Sequence, residues 1–176
     1  VIAYNASPFF RFAPYVVFGT MVAAAAIVPS MDTRLPFSTA ADAIALVGLL
    51  ATARVFMALA AMDVGTAFGS LGGRRDMMVG FLAEPALLMV IFVASLISMT
   101  TALPVITERL ATQALGLYPS LAFTAIAFTL VLLAENARIP VDNPATHLEL
   151  TMIHEAMLIE YSARHLALME WAAALK

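Results

Sequence analysis

Arg54, Glu84 and Glu135 are charged residues set within, or at the end of, long apolar runs. Arg54 stands near the middle of a segment from about Ala43 to Met62 that carries no other charge. A guanidinium in hydrocarbon is costly, so it is expected to face a protein interior and pair with a carboxylate. The other arrangement open to it is a short span from which Arg54 snorkels to the surface. Asp63 is a candidate partner, or simply a helix terminus. Glu84 is the only charge between Met77 and Thr107. A carboxylate at or inside the membrane edge is by default a functional candidate, and it could accept and release protons. It equally suits the first turn of a helix starting at Pro85, where an acid favours the helix dipole. Glu135 opens a segment in which charge arrives all at once: Arg138, Asp142, Glu149, Glu155, Glu160, Arg164 and Glu170, with His147, His154 and His165. An ordinary solvated loop accounts for such a stretch. Its density of carboxylates and histidines also suits carrying protons or holding a partner.

Other chemistries find little support. There are no cysteines, which excludes disulfides, a thiolate nucleophile and iron–sulfur ligation by cysteine within this chain. His154-Glu155 lacks the second histidine of a zinc-hydrolase motif, so no metal site is expected. With Glu149 to Glu170 taken as one helix, His154 and His165 lie about three turns apart on one face. Gly72-Gly73 lacks the Lys-Ser/Thr that follows the glycines of a phosphate loop.

Composition sets the class. Hydrophobic residues make up 62% of the chain and charged residues 12%, with a mean hydropathy of +0.94. Soluble domains carry about 25% charged residues. A surface wholly in contact with water is therefore not expected. The net charge of -3, without a basic cluster, argues against nucleic acid.

The elements that must position the charges follow from spans of about 20 apolar residues. They are expected at about 12–31, 43–62, 77–107 and 110–134, with a loop and helix over 135–163 and the start of a further span over 164–176. The expectation is one all-α, polytopic membrane domain of about four complete spans. Asp63 to Asp76 reads as a glycine-rich connector with a tight turn between helices. The third span is too long to cross straight, so it tilts, bends at Pro85 or starts in the interface. Glu108-Arg109 marks a turn. Val1 to Phe10 has no charged leader and no initiator Met, and a new apolar run has just begun at Lys176, so a fragment of a longer protein is expected. Alternating the connectors puts Arg11, Arg74, Arg75, Arg138 and Arg164 on one side and only Arg34 and Arg109 on the other. The positive-inside rule makes the first side cytoplasmic.

One family carries a similar pattern. Glu135-Asn-Ala-Arg138, Pro140-x-Asp142-x-Pro144, Glu149-Leu150 and Glu160-Tyr-Ser162 resemble the cytoplasmic loop between two helices of the quinone-site membrane subunit of respiratory complex I. His147-Leu-Glu-Leu-Thr-Met-Ile-His-Glu155 resembles that family's hydrogenase branch, with its formate hydrogenlyase and hydrogenase-4 membrane components. Ser70-Leu-Gly-Gly-Arg74 and Glu84 extend the likeness upstream. The resemblance implies a non-catalytic membrane subunit of an oxidoreductase complex in a bacterial inner membrane. Glu84 and Glu135 would be proton-path carboxylates, with Arg54 and Asp63 beside them. Arg74, Arg138, Asp142, His147, Glu149, His154, Glu155 and Glu160 would form a loop facing a docked redox module. No cofactor is expected in this chain. Nickel–iron and iron–sulfur centres would sit in partner subunits, namely hydrogenase large and small subunits and iron–sulfur subunits, with antiporter-like membrane subunits alongside. The sequence departs from the complex I pattern at Asn143 to His147, which tells against a standard quinone cavity. A quinone-reducing complex I subunit is the second reading. A secondary transporter using Arg54 and Glu84 is the third, opposed by the lack of an inverted repeat.

Overall fold

The computed structural model describes residues 6–29, 41–112, 119–139, 141–143 and 152–176. The protein is all-helical. In chain order the helices are α1 (Pro8–Ile27), α2 (Ala43–Asp63), α3 (Ala67–Ser98), α4 (Leu103–Thr112), α5 (Pro119–Glu135), α6 (Ile153–Leu158) and α7 (Ala163–Leu175). α1, α2 and α3 are each long and apolar enough to cross a membrane, and α5 is a shorter apolar helix. Large apolar side chains point outward from α3 and α5, among them Phe81 (80% exposed), Leu82 and Phe123. Such a surface suits hydrocarbon rather than water.

The starts of α1 and α2 are written locally. Ser7 caps α1 by accepting the Phe9 N–H at 3.1 Å, with Pro8 in the first turn. Asp42 caps α2 through the Ile44 N–H at 2.7 Å and also accepts the Thr101 hydroxyl at 2.7 Å. Those two bonds, the Thr101 one foremost, hold the Asp42 carboxyl below its ordinary range. Backbone bonds from Ala43 to Thr101 and from Leu103 to Ala41 tie the start of α2 to the α3–α4 link.

At the opposite end, Pro14 cannot donate to the Phe10 carbonyl one turn back. The Tyr161 hydroxyl donates to that carbonyl instead, at 3.2 Å, and its ring stacks on Phe10 at 4.1 Å. Burial there pushes the phenol pKa of Tyr161 far up. The Ser7 N–H donates to Asp63 at 3.0 Å, which joins the start of α1 to the end of α2. The main core lies among α1, α2 and α7 and uses Phe10, Ala13, Val17, Ala53, Ala60 and Met169. Alanines at these positions bring the helix backbones close.

Several boundaries differ from those the sequence suggests. The connector expected over Asp63 to Asp76 is helical from Ala67 onward. Gly72 lies where a Cβ would come within 3.1 Å of the Ile153 carbonyl oxygen of α6, so the glycines serve close helix approach rather than a turn. α3 continues through Pro85 and ends at Ser98, with Met99 in the left-handed region at φ 55°. Glu108 and Arg109, expected at a turn, lie in α4, and the expected fourth span is divided between α4 and α5. The first helix begins at Pro8 rather than Phe12. The helix expected over 149–170 breaks at 159–162, so His154 belongs to α6 and His165 to α7 and they do not share one helix face.

Candidate functional site

Arg54 lies nine residues before Asp63, about 14 Å into α2 at 1.5 Å per residue. It is 6% exposed. Its Nη2 is 2.7 Å from Glu135 Oε2 at the end of α5. Its Nη1 is 3.7 Å from Glu84 Oε1, and its Nε 3.7 Å from Asp76 Oδ2, both on α3. Asp76, Gly80 and Glu84 form one i, i+4 row of α3. The bare position between the two acids is the slot in which Arg54 lies. A Cβ on Gly80 would stand 2.5 Å from Arg54 Nη1 and 2.8 Å from Cδ. α5 closes with Ala137 at φ 45° and the Arg138 N–H returning to the Leu133 carbonyl at 2.9 Å, which fixes Glu135 at the helix end. Lys176, at the end of α7, reaches the same carboxylate at 3.1 Å. Two cations thus meet three carboxylates. The 3.7 Å contacts are too long for hydrogen bonds, and Arg54 Nη1 and Asp76 Oδ2 have no hydrogen-bond partner among protein atoms.

Two cavities meet at Glu135. One, of about 160 Å³, runs from Arg54, Asp76 and Glu135 to His154 and Glu155 of α6. The other, of about 990 Å³, is mostly apolar, lies against α1 to α5 and ends at Glu135, Asn136 and Lys176. His154 is half-buried. Burial holds its imidazole below the ordinary range, and the cations Lys176 and Arg138 push the same way against Glu155 and Glu170.

A second buried carboxylate stands beside this cluster. Asp142 accepts the Ile153 N–H at 2.6 Å and lies 3.7 Å from Arg75 Nη2. Its side chain is 1% exposed. It fastens the start of α6, which rests on α3 at Gly72. Among the described residues no group of three metal-ligating side chains forms.

A family model described as NADH dehydrogenase matches residues 1–176. The chain belongs to the NADH dehydrogenase family. Within that family it is similar to hydrogenase-4 component C of Escherichia coli strain K12, with 35% identity over 171 residues, 95% of this chain and 52% of the relative. It is likewise similar to formate hydrogenlyase subunit 4 of the same organism, with 32% identity over 167 residues, 95% of this chain and 53% of the relative. The chain spans about half the length of these curated relatives. Family membership and the spanning helices together make it a membrane protein.

In this family member the structure brings Arg54, Glu84 and Glu135 together. It does not bring Asp63 to Arg54, because Asp63 holds the Ser7 backbone instead. Arg74, Arg138 and Glu155 are exposed and Glu160 is half-buried. Asp142, expected at a docking surface, is turned inward. His147 and Glu149 lie outside the described residues. Sequence reasoning missed Asp76, Gly80, Arg75 and Lys176. The acid–glycine–acid row at four-residue spacing was the signal available for the first two.

Proposed function

We propose that this chain is a membrane subunit of a hydrogenase or formate hydrogenlyase complex, and that its buried ion cluster relays protons between a docked redox module and ion-translocating subunits. One observation carries this reading: a single buried arginine inside a spanning helix holds three carboxylates from two other helices. Buried charge of this kind is expensive and marks ion pathways more often than packing. The surplus of acids over near hydrogen bonds lets one carboxylate take up a proton while the others keep Arg54 in place. The names of the relatives supply the kind of complex. Hydrogenase large and small subunits, iron–sulfur subunits and antiporter-like membrane subunits are the proposed partners, with the nickel–iron and iron–sulfur centres in the partners. Arg11 lies near the start of α1, Arg74 and Arg75 near the start of α3, Arg138 just past α5 and Arg164 at the start of α7, towards the end of the bundle where Ser7 meets Asp63 and Tyr161 meets Phe10. In a bacterial inner membrane the positive-inside rule turns that end to the cytoplasm, and the exposed Arg74, Arg138 and Glu155 face the redox module.

The test is proton pumping in vesicles by complexes of equal subunit content. Glu84→Gln and Glu135→Gln keep size and polarity but cannot exchange a proton at that carboxyl. Each is expected to leave an assembled complex with impaired coupling, and Glu84→Asp to retain part of it. Wild-type pumping by both glutamine variants would reduce the cluster to a helix fastener.

A further inference from the structure

The cavity of about 160 Å³ between Arg54 and α6 is walled by both residues that the ion cluster leaves unsatisfied. Arg54 is 6% and Asp76 9% exposed, and each offers a polar atom without a protein partner. Glu135, Asn136 and Lys176 add further donors and acceptors, and His154 and Glu155 close the α6 end. A buried water needs two to four polar partners, and the space is large enough for several waters. An apolar void of the same size would stay dry. This one is polar at both ends, and its protein groups alone do not satisfy it.

We propose that this cavity is a water chamber through which His154 hands protons to Glu135. The proposal rests on the relay reading above and adds its entry point. His154 takes a proton onto one ring nitrogen at the α6 surface and releases a proton from the ring to a chamber water. The water chain delivers a proton to a Glu135 carboxylate oxygen. Only N–H and O–H bonds are made and broken, and no electron moves. Neutral Glu135 loosens its 2.7 Å contact with Arg54 and its 3.1 Å contact with Lys176, and the guanidinium stays held by Asp76 and Glu84, each 3.7 Å away. The groups around His154 favour transit over storage. Arg138 beyond α5 and Lys176 of α7 oppose its protonation; Glu155 on its own helix and Glu170 of α7 favour it. Arg54 of α2 and Asp76 of α3 line the far wall. An imidazole that burial keeps neutral near neutral pH gives up an incoming proton readily.

The experiment compares His154→Gln and Glu135→Gln in the whole complex, reconstituted in vesicles at equal subunit content, over a range of pH. His154→Gln is expected to slow proton-coupled turnover on the order of 100-fold, most at alkaline pH where bulk protons are scarce. Free imidazole should restore it. Glu135→Gln should be slowed and not restored. Wild-type turnover and pH profile in His154→Gln, with Glu135→Gln impaired, overturns the entry role and leaves the relay standing. Normal turnover in both Glu135→Gln and Glu84→Gln overturns the relay and this proposal with it. Slowed turnover in His154→Gln that imidazole does not restore, with an unchanged pH profile, makes His154 a packing residue and also overturns it. If His154→Gln does not assemble, Ala173→Leu adds bulk to the chamber wall from α7 without removing a titratable group. Slowed turnover in that variant supports the chamber, and unchanged turnover overturns it.

Discussion

Asp142 is buried, as are Asp76 and Glu135 of the three carboxylates around Arg54, while the third, Glu84, keeps 33% of its side chain exposed. Asp142 accepts a backbone N–H at 2.6 Å through Oδ2, while its Oδ1, 3.7 Å from Arg75, has no hydrogen-bond partner. Arg54 has one close carboxylate at 2.7 Å and two more at 3.7 Å, with Nη1 lacking a hydrogen-bond partner. The first arrangement commits the charge to a helix start, so neutralising Asp142 releases α6. The second has spare partners, so neutralising one acid leaves the others in place. A buried charge bonded to backbone acts as a fastener. A buried charge shared among competing side chains can rearrange without the fold opening.

The largest expected effect separates the two directly. Arg54→Leu takes the guanidinium from buried Asp76, 9% exposed, and leaves Glu135, whose side chain is 5% exposed, with Lys176 at 3.1 Å alone. Breaking a buried pair in this way costs about 3–5 kcal/mol. The yield of assembled complex and its unfolding temperature should both fall further than for Glu84→Gln. Equal losses from the two variants would break the comparison, because Arg54 would then be no more central than one of its partners.

Asp142→Ala comes next. It removes a charge-assisted bond worth about 1.5–3 kcal/mol. Amide exchange at Ala156 and Met157 should quicken, while proton-coupled turnover per assembled complex stays at the wild-type level. Unchanged protection of α6, or lost coupling with α6 still protected, would show that fastening and relay are not separable.

The smallest effect sharpens the comparison by pH. Burial sets His154 below its ordinary value of 6.5. As pH falls through that value the unfolded segment takes up a proton before the folded one does, so acid favours opening. Below the folded value no further loss accrues, and well above 6.5 the term is absent. After correction for intrinsic exchange rates, α6 should open more readily on the acid side of His154's ordinary range than on the alkaline side. His154→Gln should flatten that dependence. An equal slope in the variant would assign it to another group.

Much of this was legible in one dimension. A bilayer demands runs of about 20 apolar residues, so the spans near Ala43 to Met62 and the run leading to Glu135 stand out by composition alone. The same rule makes Arg54, Glu84 and Glu135 visible, because a charge in such a run needs a partner. The family was equally legible in the loop motifs from Glu135 to Ser162.

The partners were decided in three dimensions. Asp63 shares a helix with Arg54, yet three carboxylates from α3 and α5 hold it, because side-chain pairing inside a bundle follows which helix faces meet. Asp76 sits beside Arg74-Arg75 and just after Gly72-Gly73, and so reads as part of a polar turn. Glycine inside a helix costs roughly 1 kcal/mol against alanine, and local propensity therefore argues for a break there. Packing overrides it: the missing side chains at Gly72 and Gly80 admit α6 and the Arg54 guanidinium. Composition could say that Arg54 must be neutralised within the membrane. Only the packing of α3 against α2 and α5 could say by which acids, since the choice depends on backbone approach that no local pattern encodes.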